Sequence, residues 1–206
     1  MENYTTLAKK EVVEQTIKNL ASNGIEGMFV AKGVEALAKI KELIPAGVSV
    51  MNGSSVTLET IGFVDYLKAG QHGWNNLHDG ILAEKDPVKQ AALRKQAVLS
   101  DYYLGSVHAL SQTGEFIVAS NSGSQLPHIV FTSPNLIFVV GAQKLVPNLE
   151  EGLKRLQEHV IPLEDVHMMQ KFNVHTYPSK VVMFKKEQPF LGRKVKMIIV
   201  NEVLGF

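Results

Sequence analysis

The chain has 206 residues, no cysteine and a formal net charge of +1. That length is ample for a hydrophobic core without covalent staples, as one large α/β domain or two small ones. The absence of cysteine excludes a disulfide, a thiolate nucleophile, and any zinc or iron–sulfur site ligated by this chain's own sulfurs. A balance of 21 basic against 20 acidic residues argues against an extensive nucleic-acid groove. It leaves room for a small basic pocket that takes a phosphate or a carboxylate. The opening stretch MENYTTLAKKEVVEQTIKNL mixes acids and bases and has no apolar signal-peptide core. The longest apolar runs, such as LIFVVGA at 136–142, are far too short to span a bilayer. A cytoplasmic protein without membrane or nucleic-acid partners is the expectation.

Helical and strand patterns alternate along the chain. Residues 5–22 carry Leu7, Val12, Val13, Ile17 and Leu20 near one helical face. The run 27–31 reads as a buried strand, and 33–44 returns to helical spacing through Val34, Leu37, Ile40 and Ile44. Pro45 and Gly47 break the chain before a short strand at 48–51. A Gly/Ser loop and a helix over about 57–69 follow. The polar stretch QHGWNNLHDG at 71–80 reads as a loop. Asp86-Pro87 signals a helix start, with Asp as cap and Pro in the first turn, running to about Leu99. Segments 102–110 and 115–119 flank Gln112-Thr113-Gly114 and predict a β-hairpin. Leu136–Val140 is a continuous apolar strand of the kind buried on both faces. Asn148 and Glu151 fit a capping box that opens a helix to about Val160. A short helix at 163–171 and strands at 180–185 and 194–200 complete the chain. This alternation predicts a mainly parallel sheet covered on both faces, with an antiparallel hairpin added.

Two loops carry candidate chemistry. After the strand at 48–51 come Gly53, Ser54, Ser55 and Thr57, small or hydroxylated residues at a helix start. Such a turn exposes backbone N–H groups where a phosphate or carboxylate can sit, at the carboxyl end of a parallel strand. The same residues also suit a tight turn and a helix cap. The spacing is neither a P-loop nor a GxGxxG fingerprint. In the second stretch, Asp101 precedes a strand containing Gly105, and the hairpin ends in Ser120-Asn121-Ser122-Gly123. That loop offers amide and hydroxyl donors suited to an anion or a sugar-like ligand. Asp101 turns the chain from helix to strand on spacing alone; acid, base or hydrogen-bond anchor is the alternative. Lys144 follows the strand at 136–140, where it would meet an anion at the sheet's carboxyl edge or simply be solvated. The seven histidines show no HExxH spacing; His72 with His78 and His167 with His175 are the pairs best suited to share a metal, though surface or core positions fit each histidine better. No GxSxG nucleophile elbow is present.

Four stretches in this order resemble the LUD, or lactate-utilisation, domain family. They are NGSSVTLETIG at 52–62, SDYYLGSVHALSQTGEFIVASNSGSQLPHI at 100–129, LIFVVGAQKLVPNLEEGLKRLQ at 136–157 and KMIIVNEVLGF at 196–206. The resemblance covers nearly the whole chain after the first helix. It implies a single domain over 1–206, with 1–22 as an N-terminal helix. The implied fold is the three-layer α/β/α arrangement of the ribose-5-phosphate isomerase, glucosamine-phosphate deaminase and CoA-transferase superfamily. It implies a role in oxidation of L-lactate to pyruvate beside iron–sulfur partner subunits. By fold analogy, ligands lie among loops 52–57, 101–105 and 120–125.

Two departures stand out. Relatives often place cysteines after the helix at 149–160, where this chain reads EDVHMMQKFNVHTYPSKVVMF. Electron transfer is therefore expected from a partner or a bound organic cofactor, whose identity the residues leave unknown. Relatives also often carry an arginine in the loop after the hairpin, where this chain has Ser122-Gly123-Ser124-Gln125. Lys144, Arg94 or backbone donors must then take a carboxylate. The expected ligand is a small anionic metabolite. Gly53, Ser54, Ser55 and Thr57 would hold it, with Ser120, Asn121, Ser122 and Gly123 as the opposite wall, Gly105 and Lys144 beside them, and Asp101 or Glu59 exchanging a proton. Two alternatives remain. One is a non-catalytic scaffold or regulatory subunit. The other is a sugar-phosphate isomerase or CoA-transferase-like enzyme using Glu59, Glu84 or Asp101. A homodimer is the default assembly.

Overall fold

Strands and helices alternate through the computed structural model, which describes residues 4–206. The first three residues of the predicted N-terminal segment 1–22 lie outside that range. The order is α1 (Lys10–Ser22), β1 (Ile25–Val30), α2 (Gly33–Leu43), β2 (Ser49–Asn52), α3 (Val56–Thr60), α4 (Phe63–Lys68), β3 (Asn75–Asn76), α5 (Leu77–Ala83) and α6 (Pro87–Gln96). Then come β4 (Tyr102–Gly105), β5 (Ala109–Ser111), β6 (Phe116–Ser120), β7 (Asn135–Gly141), β8 (Leu145–Val146), α7 (Leu149–Arg155), α8 (Ile161–Phe172), β9 (Lys180–Phe184) and β10 (Lys194–Val200).

Six strands form one sheet in the order β1-β10-β7-β4-β2-β3, every pair parallel. The predicted buried strand is its centre. Along β7, Leu136, Phe138 and Val140 face one layer, while Ile137 and Val139 face the other. The period of two thus divides the core into two halves. Ala36 and Ile40 of α2, Leu58 of α3, and Phe63 and Leu67 of α4 cover one half. Val13 and Leu20 of α1 cover part of the other, together with Leu110, Phe116, Val118 and Phe184 from a second sheet. That smaller sheet has the order β8-β5-β6-β9. Its far face is closed by Leu153 of α7, with Leu156 and Val160 just beyond. The result is the expected three-layer α/β/α arrangement, with the hairpin enlarged to a sheet of its own.

Several boundaries differ from the sequence reading, each for a local reason. The predicted helix 57–69 is two short helices, because Gly62 adopts φ +79° between them. The stretch 71–80 is not a loop. It supplies the edge strand β3, which pairs with β2, and α5, capped by Asn76 through the amide of His78. The predicted strand 102–110 divides at 106–108, so that β4 joins the large sheet and β5 joins the small one. The helices predicted at 149–160 and 163–171 are one continuous run. A π-turn at Leu156–Val160 joins α7 to α8. Pro162 has no N–H for the carbonyl four residues back, and the widened turn ahead of it accommodates that loss.

β5 leaves directly from the carboxyl end of β4, and β8 from that of β7. Both departures from the large sheet into the small one therefore occur at the carboxyl edge of the large one, while β6 and β9 lead back to the amino ends of β7 and β10. The backbone there is close-packed. A Cβ on Gly141 would lie 2.7 Å from the Glu202 carbonyl oxygen and 2.8 Å from the Leu204 nitrogen. Gly80 in α5 has nothing within 4 Å of such a Cβ and no positive φ. Gly80→Ala should therefore stabilise the protein by about 0.5–1 kcal/mol through helix propensity. Gly141→Ala should destabilise it by roughly 2–3 kcal/mol through overpacking. Urea unfolding of the two variants checks both signs.

Candidate functional site

The carboxyl edge of the large sheet is where residues from separate crossings meet. Thr57 lies in the first turn of α3, Ser106 and Val107 link β4 to β5, and Lys144 links β7 to β8. The Lys144 Nζ donates to Thr57 Oγ1 at 3.1 Å, to Ser106 Oγ at 3.2 Å and to the Val107 carbonyl at 3.3 Å. Its three donors are thereby satisfied. The residue is only 4% exposed. Thr57 in turn donates to the Leu204 carbonyl at 3.2 Å, and Gln143 Nε2 donates to the same oxygen at 3.0 Å. The chain's final turn closes over this group. A Cβ on Gly205 would stand 2.6 Å from Thr57 Oγ1 and 3.4 Å from Lys144 Nζ, and Gly205 has φ +62°. Only glycine meets both demands there.

The surroundings are positive. Among the described residues no carboxylate pairs with Lys144. Burial, reinforced by the Arg155 guanidinium, pulls its amine down from the ordinary lysine value to about 7. Arg155 of α7 is fully buried and donates through Nη1 to the His108 carbonyl. Its Nε and Nη2 have no partner among the described residues. The His108 ring accepts the Ala119 amide at 3.0 Å through Nδ1. Burial first, then Lys144 and Arg155, depress its pKa to about 3, so it is neutral. His159, four residues along the helical run from Arg155, is lowered by burial and by the same two cations. These groups form a closed region rich in cationic donors and, among the described residues, free of acidic partners.

The family model for the LUD domain matches residues 13–184. The chain belongs to the LUD domain family. It is thereby a lactate-utilisation-related protein in general terms. The crystal structure of a DUF162 family protein from Deinococcus radiodurans aligns with a TM-score of 0.55 at 14% identity, covering 95% of this chain and 99% of that one. At that identity the likeness shows the fold. No curated protein matches this LUD domain. No helix among the described residues is long and apolar enough to cross a membrane.

The other candidates from the sequence lie in several places. Gly53, Gly105 and the loop 120–125 adjoin one another beside the Lys144 group. Gln125 accepts from the Tyr103 hydroxyl at 3.1 Å, and a Cβ on Gly53 would meet both of those side chains. A Cβ on Gly105 would touch the same Tyr103 ring. Ser120 accepts the Gly123 amide, Ser122 bonds to Ser124, and Asn121 accepts from Ser179 and Lys180. The loop's polar groups thus bond largely within itself and to the start of β9. Ser54 is exposed, and Ser55 caps α3 by accepting the Leu58 amide.

Glu59 points outward and pairs with Lys171 at 3.4 Å, in a surface groove also lined by Asp65 and Lys68. Glu84 accepts the Asp86 amide, and Arg94 bonds to Gln90 beside His78. Asp101 lies at the amino edge of the sheet. It accepts from the Ser49 amide at 2.8 Å and the Ser49 hydroxyl at 2.6 Å, which hold its carboxyl below the usual range. β4 separates it from Ser106, about 16 Å at the rise of a strand. The structure therefore does not bring Asp101, Glu59, Glu84 or Arg94 to the Lys144 group. Nor do the histidine pairs meet: His72 stacks on Trp74, His78 faces Asn52, His167 contacts Glu164 and His175 contacts Asp165. Among the described residues there is no cluster of three or more histidines or carboxylates suited to a metal.

Ser106, His108, Gln143 and Arg155 were missed as site residues. One signal was available for Arg155. It shares a helical face with buried Gly152 and Leu156, a charged residue set into an apolar stripe.

The buried lysine sets a pH dependence. Unfolded, Lys144 keeps its proton up to about pH 10.5; folded, it releases it near 7. Between those values the unfolded chain binds more protons, so stability rises with pH. We expect the wild type to gain roughly 2–3 kcal/mol between pH 7 and 9.5. Lys144→Met should flatten that rise, as read from urea midpoints across the range.

Proposed function

We propose that this LUD domain binds a small anionic metabolite of the L-lactate or pyruvate class at the junction of its two sheets, with Lys144 as the cationic contact. In that role it serves oxidation of L-lactate to pyruvate beside iron–sulfur partner subunits, which carry the electrons. The observation that supports the reading is Lys144 itself. An amine taken out of water with no carboxylate to neutralise it costs folding free energy. A bound anion removes that cost, and a purely scaffolding subunit has no use for it. Thr57 and Ser106 are hydroxyls that turn to donate to an arriving anion while Lys144 keeps a hydrogen bond to Val107. The turn Leu204-Gly205-Phe206 covers the group, so the anion gains access when that turn lifts.

Lys144 also gives the site a proton function. Near neutral pH it is divided between its two forms, and a bound negative charge favours the ammonium. Binding at pH 8 should therefore take up a proton. Calorimetric titration with L-lactate and with pyruvate, in buffers of different ionisation enthalpy, reads both affinity and proton uptake. The wild type should bind with uptake of most of one proton. Lys144→Met should lose binding by at least tenfold and lose the uptake with it. Binding of equal strength in Lys144→Met would remove the lysine from the site.

A further inference from the structure

Arg155 holds two unused donors in the one arrangement that a planar carboxylate fits. Its Nη1 is committed to the His108 carbonyl, and the remaining pair, Nε and Nη2, has no partner among the described residues although the residue is fully buried. Those two nitrogens lie on one edge of the guanidinium, with parallel N–H bonds spaced to match the two oxygens of a carboxylate. Buried donors are almost always paired, so an unpaired pair at full burial marks a missing acceptor. Among the described residues nothing acidic nearby supplies it. Glu158, three residues on, accepts instead from the Tyr4 hydroxyl at 3.3 Å.

Arg155 belongs to the same region as Lys144. Lys144 donates to the carbonyl of Val107, and Arg155 to that of His108, the next residue. Arg155 acts on Lys144, and both cations act on the His108 ring. The segment ahead of α1 covers the guanidinium: the Tyr4 ring centre stands 5.9 Å from its Cζ and 5.2 Å from the His159 ring. Ala8 ties that segment to the Ala142 carbonyl at the sheet edge. Two segments thus close the region, Tyr4 over Arg155 and Gly205 over Lys144.

We infer that Arg155 is the carboxylate fork of the site, taking the carboxylate of a small organic acid side-on through Nε and Nη2. This rests on the reading that an anion binds at the Lys144 junction, and it names the functional group and the residue that selects it. The fork stands in for the arginine absent from Ser122-Gly123-Ser124-Gln125, delivered from α7 rather than from the hairpin loop. It selects a planar, two-oxygen anion over a neutral analogue of the same size.

The test compares L-lactate with lactamide, its neutral amide, on the wild type, Arg155→Met and Arg155→Lys. Titration calorimetry reads affinity, and melting without ligand reads the intact fold. The wild type should bind L-lactate and discriminate strongly against lactamide. Arg155→Met should weaken L-lactate by roughly a hundredfold and erase the discrimination. Arg155→Lys keeps the charge without the fork and should lose most of the same affinity. Without ligand, Arg155→Met should melt no lower than the wild type, because it removes unpaired buried donors. A purely structural arginine would instead lower the melting temperature and leave the discrimination in place, which overturns the inference. L-Lactate affinity that falls in Lys144→Met but survives in Arg155→Met also overturns it, while the Lys144 reading stands. No binding of L-lactate or pyruvate by the wild type defeats that reading and this inference together.

Discussion

Lys144 Nζ reaches Thr57, Ser106 and Val107, and these acceptors come from separate departures out of the large sheet. One ammonium therefore ties together the β2–α3 turn, the β4–β5 crossing and the β7–β8 crossing. The chain leaves the large sheet for the small one at this edge both times, after β4 and after β7. The close approach there explains the two glycines: Gly141, where a side chain would meet the backbone of Glu202 and Leu204, and Gly205, where one would meet Thr57. The apolar layers supply the bulk of the stability. The polar junction decides how the two sheets are joined.

That junction runs against the economy of a core. Lys144 and Arg155 are both buried and lie within electrostatic reach of each other, and among the described residues neither has a carboxylate partner. Elsewhere the protein pairs its buried or terminal charges. Arg193 and Glu187 form a buried ion pair at 3.1 Å, and Glu202 accepts the Gly33 amide at the start of α2. The contrast within one molecule is the reason to read the Lys144–Arg155 region as built for an anion. Local rules are broken where function requires it.

Much of the architecture was legible from pattern. The run LIFVV announced a strand buried on both faces, Asp86-Pro87 and Asn148 announced helix starts, and the alternation announced a parallel sheet with helices on both sides. What pattern did not reveal was tertiary. Nothing local distinguishes Tyr102–Gly105 from Ala109–Ser111 as members of different sheets; the break at Ser106 depends on where β7 and β8 lie. Pro162 looked like a helix end, and a π-turn absorbed it. At the site, Lys144 and Thr57 were visible because they follow strands at a predicted carboxyl edge. Asp101 was attractive by residue type, yet the parallel direction of β4 puts it at the far edge. Arg155 is 47 residues from the carbonyl it contacts, a proximity that only the folded chain creates.

The central claim is that Lys144 is a buried, unneutralised amine that an anion completes. Its charge state can be read directly by NMR titration of the lysine ε-carbon, with Lys144→Met assigning the signal. The account predicts a midpoint near pH 7 in the free protein, moving upward when L-lactate or pyruvate saturates the site. A lysine that titrates at the ordinary value and ignores both anions would contradict it.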